Sequence, residues 1–537
     1  MMRAGVLDLL KDGTKHLTGI DEAVLKNLEA CKNLANITRT SLGPNGMNKM
    51  VVNHLDKLFV THDAATIMEQ LEVVHPAAKM LVLASKSQQE EVGDGTNFVI
   101  VLAGELLKNA EQLIIMGIHP SEILQGYLKA CKRTLELLPT LATHRLDDVR
   151  DEAAVTQALR PVLSAKVNGN EDVLAPIVAQ ACIQTCPPNQ KFFNIDNIRV
   201  LKIEGASIGQ SFLLNGLAFA RDSMSSTKSV QGGARIAVFS CGIEPSSTDT
   251  KGVIQLNSAE ELKSYNRTEE DAMAKVVQEL ADARINVVVS SGNVSDIAMH
   301  FLEMHNMIVV RLPSKFDIRR LCKSTGAIAG VRLGAPAPEE IGTCDTVRVE
   351  EIGGTRCVIF DKQDQSSRVA TIVVRGATHN MMDDVERAID DAVNVYKSLC
   401  RDPQLVPGAG ATEIEIARRI KEFGMQQSGL DQYSIQKYAE SFEAVPKTLA
   451  ENAGMNPTNI LSALYTAHKQ GNAAAGVDVE EHTVGDMGGT INDSLNTKYW
   501  AIKFATDAAI NVLRVDQIIM AKPAGGPKPG AEGPRDD

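Results

Sequence analysis

Two helix-rich ends enclose a middle segment of different texture, and this pattern constrains the fold of the 537-residue chain more than any other feature. Apolar residues recur at helical spacing over residues 24–34, and helical periodicity returns after Pro407. The middle alternates helical stretches with the β-branched runs RIAVFS, INVVVSS, MIVVRL and TIVVRG, and residues 347–360 predict a hairpin that turns at Gly353-Gly354. Because the ends share one texture, we predict one helical domain built from both ends, with an α/β region inserted between them.

Length and composition exclude several classes of protein. A chain this long exceeds the roughly 250–300 residues that a single core supports, so more than one domain is expected. Hydrophobic residues make up 44% of the chain and charged residues 23%, which is typical of a soluble globular protein. The formal net charge of −12 disfavours nucleic-acid binding and electrostatic docking on anionic membranes. We therefore expect neither a nucleic-acid nor a membrane partner.

The chain carries no sequence signal for membrane insertion or secretion. No run reaches the ~20 apolar residues that a membrane helix needs, and the N-terminus lacks the long apolar region of a signal peptide. The nine cysteines are scattered, and only Cys182 and Cys186 form a close pair, without the second pair that would complete a zinc site. These features predict a cytoplasmic protein with reduced thiols.

The string Gly93-Asp94-Gly95-Thr96-Asn97 opens an apolar helix and is a candidate for phosphate binding. Glycines let a ligand approach the backbone closely, and free N–H groups at a helix start attract phosphate. The Asp94 carboxylate could hold a Mg²⁺ ion that bridges phosphate oxygens. The alternative interpretation is an ordinary turn with a threonine cap.

Two further glycine-rich turns adjoin predicted helices. The turn SLGPNG, residues 41–46, follows the first helix, and its alternative interpretation is a helix stop. The turn Pro407 to Gly410 precedes a helix that begins near Ala411, and it offers a second backbone platform, although short glycine turns are common. The Walker A motif and the dinucleotide GxGxxG motif are both absent from the sequence, so neither of those phosphate loops is predicted.

Two carboxylates are candidates for positioning and deprotonating a water that attacks a phosphate. They are Asp63, in THDAATI, and Asp391, on a predicted helix over residues 381–399. The alternative for either residue is a solvated surface charge. The string GASIG, residues 205–209, matches the GxSxG pattern of serine hydrolases, but a short apolar run and Gly216 follow where that motif needs a helix. We therefore do not predict a hydrolase of that class.

Five strings, in this order, resemble signatures of the group II chaperonins, the family of the eukaryotic TCP-1 ring complex and the archaeal thermosome. They are SLGPNGMNKM, THDAATIMEQL, QQEEVGDGTNFVIVLAGELL, VVRGAT followed by DDVERAIDDAV, and VPGAGATEIE. One string would be a weak signal, whereas five in register are specific. The resemblance covers nearly the whole chain.

The resemblance implies a multidomain α and α/β chaperonin fold of three nested domains. A helical equatorial domain would bind ATP, a small intermediate domain would link it to the rest, and an inserted α/β apical domain with a lid protrusion would bind client proteins. The expected ranges are 1–146 and 406–520 for the equatorial domain, 147–216 and 369–405 for the intermediate domain, 217–368 for the apical domain and 521–537 for a disordered tail.

The resemblance also implies an ATPase that uses ATP and Mg²⁺. By position, Asp94 would hold Mg²⁺, Asp63 would orient the attacking water and Asp391 would act as its general base. Lys166 would sense the γ-phosphate. The other expected ATP-site residues are Leu42, Gly43 and Pro44 at the phosphates, Gly95, Thr96, Asn97 and Phe98 at the helix start, Gly408 and Gly410 at the ribose, and Asp493 at the nucleoside.

The chain departs from the family pattern at several of these positions. Ala64 stands where glycine is usual, so the turn after Asp63 must avoid positive φ or tolerate strain. Ala409 replaces the middle glycine of a triplet, Asn97 stands where threonine is commoner, and Asp390 stands where histidine is frequent. None of these changes removes a carboxylate named above, so we expect hydrolysis to survive.

The resemblance implies that the chain binds unfolded clients and paralogous subunits. The segment SKFDIRRLCK, residues 314–323, resembles the client-facing helix, and its cations predict charge contacts with clients; the alternative is an amphipathic helix that packs Ile318 and Leu321 inward. Residues 242–260 would hold the lid protrusion. The implied partners are the paralogous subunits of a hetero-oligomeric double ring, clients such as actin and tubulin, and prefoldin. The candidate client-binding residues are Phe316, Arg319, Arg320 and Lys323.

Two other classes of function compete with a folding machine. One is a metabolic ATP-using enzyme such as a kinase, which would need a small-molecule pocket in the α/β middle and would form a small oligomer. The other is a passive scaffold whose ATP site is inactive. Particle size separates the first alternative from a chaperonin, and phosphate release separates the second.

Overall fold

The computed structural model describes residues 15–18, 23–244, 259–362 and 369–520. The described residues form sixteen α-helices and eighteen β-strands, each numbered along the chain. The helices are α1 Leu25–Arg39, α2 Ala64–Gln70, α3 Pro76–Glu91, α4 Thr96–Ile115, α5 Pro120–Leu137, α6 Glu152–Ser164, α7 Glu171–Thr185, α8 Ala259–Asp282, α9 Asp296–Met304, α10 Lys315–Thr325, α11 His379–Arg401, α12 Ala411–Met425, α13 Asp431–Ser441, α14 Ala444–Asn452, α15 Pro457–Lys469 and α16 Leu495–Leu513.

The strands are β1 Lys15–Thr18, β2 Lys49–Val52, β3 Leu58–Thr61, β4 His144–Arg145, β5 Ile198–Glu204, β6 Phe212–Phe219, β7 Ser229–Phe239, β8 Val287–Ser290, β9 Ile308–Arg311, β10 Ala329–Gly330, β11 Gly342–Ile352, β12 Thr355–Asp361, β13 Ala370–Gly376, β14 Gln404–Pro407, β15 Ala475–Asp478, β16 Thr483–Asp486, β17 Asn492–Ser494 and β18 Gln517–Met520. The chain divides into two compact units. The first unit takes the residues up to His144 and from Gln404 onward, and the second takes Arg145 to Pro403.

The first unit is helical and is organised around α4. This helix is apolar on nearly every side, so Val99, Ile100, Leu102, Leu106 and neighbouring residues are all buried in one core with side chains from α1, α3, α5, α13 and α16. Gly104 lets α1 approach, because a Cβ built there would lie 2.2 Å from the Cβ of Ala35. The core joins residues from both chain ends, as the shared helical texture predicted.

The second unit is built on a mixed nine-stranded sheet in the described part of the chain. Its order is β5-β13-β6-β12-β11-β7-β8-β9, with β10 beside β7. Strands β7, β8 and β9 are parallel neighbours, as are β5 and β13, whereas β6, β12 and β11 pair antiparallel with their neighbours. The fold class predicted from the sequence, α combined with α/β, is confirmed.

Alternation along the strands puts helices on both faces of this sheet. On β7, Ile236 and Val238 pack in the core that contains Ile318 and Leu321 of α10. The intervening Ala237 of β7 packs in a second core, whose helical members are Met273, Val277 and Leu280 of α8 and Ala298 and Leu302 of α9. The sheet therefore lies between α10 on one face and α8 with α9 on the other.

Two local predictions can be compared directly with the structure. Strands β11 and β12 pair in register from Ile352–Thr355 outward, and the intervening Gly353 and Gly354 have φ values of 59° and 77°, so the predicted hairpin is confirmed. The GASIG string leads from β5 into a short 3₁₀ helix, Ile208–Gln210, and then into β6. The α-helix that a serine nucleophile elbow requires does not follow it.

Candidate functional site

The start of α4 presents backbone N–H groups without a side-chain cap among the described residues. Gly95 precedes the helix with φ of 82°, a left-handed conformation that favours glycine. The Gln88 side chain donates to the carbonyl of Asp94 at 2.8 Å and to that of Thr497 at 3.3 Å, which fixes the loop between α3 and α16. Asp94 is half-buried beside this start. The free N–H groups give the loop a partial positive charge that suits an anion.

Asp63 lies at the same helix start. Its Oδ2 accepts hydrogen bonds from the backbone N–H of Thr66 at 3.1 Å and the Thr66 hydroxyl at 2.8 Å, so the carboxylate caps α2. Its Oδ1 lies 3.5 Å from the hydroxyl of Thr96, the first residue of α4. Ala64 is the first residue of α2 and is helical, so the glycine usual at this position is not needed here. The structure therefore brings together the THDAATIMEQL and QQEEVGDGTNFVIVLAGELL segments, the second and third of the five strings.

The loop Leu42-Gly43-Pro44 joins this group through Asn97. The Asn97 amide donates to the Thr38 carbonyl at 3.2 Å and to the Ser41 hydroxyl at 3.3 Å. Gly43 has φ of 84°, and a Cβ there would lie 2.5 Å from Cδ2 of Leu449, so the loop needs a glycine for both reasons.

The glycine loop before α12 approaches Asp493. Gly408 donates to the Ile491 carbonyl at 2.9 Å, and a Cβ built on it would lie 2.9 Å from the Ile491 side chain and 3.3 Å from Oδ2 of Asp493. Gly410 starts α12 with φ of 81° and no side-chain cap from the described residues. Ala409 has φ of 52°, so the alanine that replaces the usual glycine does adopt a strained conformation. This loop is a second uncapped helix start.

Lys498, on α16, links the two helix starts, and sequence reasoning missed it. Its ammonium pairs with Glu413 in the first turn of α12, lies 3.0 Å from Oδ2 of Asp493, and lies 4.8 Å from the ring centre of Phe98 on α4. Only 13% of its side chain is exposed. Burial opposes its charge, but the Asp493 and Glu413 carboxylates outweigh burial and hold the pKa of Lys498 above its ordinary value. The only available signal was a lone cation near the start of an apolar helix.

The first unit thus gathers the predicted residues Leu42, Gly43, Asp63, Asp94 to Phe98, Gly408, Gly410 and Asp493 through direct contacts and shared neighbours. Three side-chain oxygens beside them, Asn97 Oδ1, Glu413 Oε2 and Asn492 Oδ1, are buried without a hydrogen-bond partner among the described residues. Buried polar atoms of this kind are costly unless a ligand or water satisfies them. The glycine cradle and these atoms fit a nucleotide.

Asp94, the residue predicted to hold Mg²⁺, lies beside the start of α4. The described residues contain no cluster of three or more His, Cys, Asp or Glu side chains placed to hold a metal ion. Mg²⁺ does not need one, since it is commonly held by one or two carboxylates together with substrate phosphates and waters.

In the second unit, Lys166 and Asp391 form a buried ion pair. Lys166 follows α6, and Asp391 lies on the buried face of α11, with 13% and 7% of their side chains exposed. On the same helix, Asp383 and Glu386 share the ammonium of Lys202. The structure thus pairs the predicted general base with the predicted phosphate sensor.

The predicted client-facing segment forms α10, with Ile318 and Leu321 buried against the sheet. Phe316 is 71% exposed, and Arg319 is exposed. The other two candidates have partners within the unit: Arg320 lies 3.5 Å from Asp317, and Lys323 donates to Asn197 at 2.6 Å. Most of the predicted lid protrusion, residues 245–258, lies outside the described residues, as does the predicted tail.

Comparison with known proteins identifies the family. The model of the TCP-1/cpn60 chaperonin family matches residues 34–523, nearly the whole chain. The chain belongs to the TCP-1/cpn60 chaperonin family. This membership confirms the resemblance inferred from the five sequence strings, and it makes the chain a chaperonin, from a family that is driven by ATP.

Several chaperonin relatives match the chain from end to end. The T-complex protein 1 subunit theta of Arabidopsis thaliana is 50% identical over 531 residues, covering 98% of this chain and 96% of the relative. The human protein of that name is 50% identical with the same coverage, and that of Dictyostelium discoideum is 47% identical over 99% of both chains. The C-terminal stretch KYWAIKFATDAAINVLRVDQIIMAKPAGGPKP also most resembles that of theta subunits, in agreement with these matches. None of the helices in the described ranges combines the length and apolarity that membrane crossing requires.

Proposed function

We propose that this chain is an ATP-hydrolysing subunit of a cytoplasmic, hetero-oligomeric double-ring chaperonin that encloses and folds other proteins. Family membership and the likeness to theta subunits support this function. The observation that carries the ATP-site assignment is the convergence on Lys498 of Phe98, at one uncapped helix start, with Glu413 and Asp493, at the other.

The first unit would act as the equatorial domain and hold the nucleotide. The N–H groups at the start of α4 and the Gly43 N–H would donate to phosphate oxygens, and Leu42 and Pro44 would line the phosphates beside Gly43. Asp94 would hold Mg²⁺, which neutralises phosphate charge when bound. The residues at the start of α4 that would cradle the phosphates are Gly95, Thr96, Asn97 and Phe98.

The glycine loop would hold the nucleoside. A side chain at Gly408 would contact Ile491, and one at Gly410 would lie 2.8 Å from the Pro446 side chain, so glycines let this loop pack closely against its own chain. The backbone of the loop would then face the ribose. Asp493, held by Lys498, would accept hydrogen bonds from the nucleoside.

Hydrolysis would divide between two carboxylates. Asp63 is held by Thr66 and would orient the attacking water from the first unit. Asp391 would accept the proton of that water. In the proposed cycle, Lys166 exchanges Asp391 for the γ-phosphate, which frees the carboxylate to act as a base.

The second unit would contain the intermediate and apical domains. Residues 147–216 and 369–405 would carry Lys166 and Asp391, and residues 217–368 would bind clients such as actin and tubulin. Phe316 and Arg319 are exposed on α10 and would contact clients directly, whereas Arg320 and Lys323 would first have to leave Asp317 and Asn197. Prefoldin would be a further partner.

Phosphate release from the assembled particle tests the proposal. In Asp391→Asn, release is expected to fall on the order of 10²-fold or more while nucleotide binding persists, because the variant keeps the shape of the side chain and loses the base. Asp383→Asn is the matched control, since Asp383 lies on the same helix and pairs with Lys202. Unchanged release in Asp391→Asn would contradict the assignment, and native mass must show a particle many times larger than one chain.

A further inference from the structure

Three cysteines that the proposed function does not use meet in the second unit, where α7 and α11 end. Cys186 is the residue that ends α7, Cys400 lies in the last turn of α11, and Cys182 lies one turn before Cys186. The thiols of Cys186 and Cys400 are neighbours that shift each other's pKa, and Cys186 Sγ lies 3.6 Å from the carbonyl oxygen of Pro187. The described residues hold no group of three or more His, Cys, Asp or Glu side chains placed to hold a metal.

The surroundings make the two contacting thiols unlike each other. The neighbouring Cys400 thiol, together with Tyr396 and the charge of Arg150, outweighs burial and lowers the pKa of Cys186. Arg150 is held at this point because its guanidinium donates to the carbonyl of Pro187 at 3.1 Å. The neighbouring Cys186 thiol, together with burial, raises the pKa of Cys400. Cys186 is therefore the better nucleophile, and Cys400 stays a neutral thiol beside it.

Exposure separates the three cysteines in the same way. Cys186 is partly exposed, Cys400 is 7% exposed and Cys182 is fully buried. Tyr396 also faces Cys186. Its hydroxyl donates to the Val149 carbonyl at 2.9 Å, and its ring packs edge-on against Phe193 at 5.0 Å. A small oxidant can reach Cys186 first, while the packing around Tyr396 holds the end of α11 beside it.

We propose that hydrogen peroxide oxidises Cys186 and Cys400 to a reversible disulfide, with Cys186 as the thiol that attacks the peroxide. The Cys186 thiolate attacks one peroxide oxygen, so an S–O bond forms, the O–O bond breaks, and the departing hydroxide is protonated to water. The Cys400 sulfur then attacks the Cys186 sulfur, so the S–S bond forms and the S–O bond breaks. The departing hydroxide takes the Cys400 proton as a second water. Together the two thiols lose two electrons to the peroxide, and a thiol reductant reverses the reaction.

The disulfide would tie the end of α7 to the end of α11. Asp391 lies on α11, and Lys166 lies just before α7. Oxidation would therefore restrict the movement that the proposed function requires of this pair. That consequence rests on the proposed function, whereas formation of the disulfide does not.

The test treats the assembled protein with hydrogen peroxide, blocks free thiols and maps cross-linked peptides by mass spectrometry. We expect a peptide that joins Cys186 to Cys400 and disappears on reduction, with Cys241, a partly exposed cysteine, as the internal control. A Cys182–Cys186 cross-link, or a Cys186 that stays reduced while Cys241 is oxidised, would overturn the proposal. This readout does not involve ATP, so its failure is distinguishable from failure of the proposed function.

Two substitutions at Cys400 separate its roles. Cys400→Ser keeps a hydrogen-bond donor and removes the sulfur, so the cross-link is lost and Cys186 oxidises further to sulfinic acid, while its alkylation rate keeps the wild-type pH profile. Cys400→Ala removes the donor as well, so the alkylation profile of Cys186 shifts to higher pH. Identical profiles for both variants would show that a donor at this position does not activate Cys186.

Discussion

Helices α4 and α12 of the first unit begin at glycines, whereas α9 and α10 of the second unit begin at serines. Ser295 and Ser314 accept hydrogen bonds from the backbone N–H groups of the first turn, so these helix starts are satisfied by their own chain. Gly95 and Gly410 offer no such acceptor and adopt φ values of 82° and 81°. The comparison teaches that the first unit leaves donors for an external acceptor at the place where its predicted loops meet.

The two units also hold their buried lysines differently. Lys498 neutralises two carboxylates, Glu413 and Asp493, within the first unit. Lys166 pairs with Asp391 in the second unit. A cation that separates two buried carboxylates cannot leave without forcing them together. We infer that the arrangement around Lys498 is fixed, whereas the proposed cycle requires Lys166 to change partner.

The largest expected effect comes from Lys498→Met. The substitution leaves two carboxylates near each other without their cation, which we expect to destabilise the first unit by about 3–5 kcal/mol and to abolish nucleotide binding. Thermal unfolding and nucleotide titration measure the two effects. Lys503→Met is the matched control on the same helix, because Lys503 packs over Trp500 at 4.9 Å and should cost under about 1 kcal/mol.

Lys166→Met tests the other half of this comparison. It leaves one carboxylate, that of Asp391, without its lysine partner, whereas Lys498→Met leaves two carboxylates facing each other. We therefore expect a smaller loss of stability than in Lys498→Met. An equal or larger loss would break the distinction between a fixed and a switching lysine.

The next effect concerns the left-handed glycines. In Gly410→Ala, the new Cβ would lie 2.8 Å from the Pro446 side chain, and the alanine would have to keep a left-handed φ. We therefore expect the free energy of unfolding to fall by about 2 kcal/mol and nucleotide binding to weaken at least about tenfold. In the second unit, Gly326 also has a left-handed φ of 79°, and a Cβ there meets no atom of the described structure within 4 Å. Gly326→Ala should therefore cost about 1 kcal/mol and leave nucleotide binding unchanged. Equal binding by both variants would show that α12 does not face the nucleotide.

A smaller effect is a dependence on pH in the first unit. Burial opposes the charge of Glu415, but hydrogen bonds from His468, Arg418 and Arg419 outweigh it and hold the pKa of Glu415 well below its usual range. A depressed pKa stabilises the fold above the unfolded value of about 4.3, and that stability is lost as pH falls further. Scanning calorimetry from pH 7 to pH 3 should show this loss in the wild type and a weaker pH dependence in Glu415→Gln.

Glu422→Gln is the control for the acid effect, because Glu422 also pairs with Arg418 but is 58% exposed. We expect its unfolding midpoint to differ from the wild type by under about 2 °C at every pH. If Glu422→Gln and Glu415→Gln lose the same pH dependence, the acid sensitivity belongs to the surface rather than to the buried cluster.

The sequence predicted the features that depend on local chain geometry. Glycines before apolar helices predicted the loops at Gly95 and Gly410, and the Gly353-Gly354 pair predicted the hairpin, because a left-handed φ favours glycine whatever the surrounding fold. It did not predict Lys498, since its partners Glu413 and Phe98 lie far away in the chain and meet it only after both ends pack into one core. The strain at Ala409 was likewise invisible, because an alanine gives no sequence signal for its φ.

The smallest expected effect comes from relaxing that strain. Ala409 adopts φ of 52°, which costs an L-residue about 1–2 kcal/mol, whereas a glycine at the same position loses about 0.5–1 kcal/mol through the greater freedom of its unfolded chain. We therefore expect Ala409→Gly to stabilise the first unit by about 0.5 kcal/mol. Thermal unfolding measures this gain, and a loss of stability would show that the Ala409 methyl group packs usefully.

Ala206 provides the matching position in the second unit, since it is exposed and has φ of 68°. Ala206→Gly should give a similar small gain in stability, because the backbone strain is of the same kind. Only Ala409→Gly should also change phosphate release, since the Ala409 carbonyl accepts the N–H of Val477 and the residue lies between the two glycines that precede α12. If both variants altered phosphate release equally, the loop before α12 would hold no special relation to the nucleotide, and the contrast between the helix starts of the two units would reduce to a difference in capping alone.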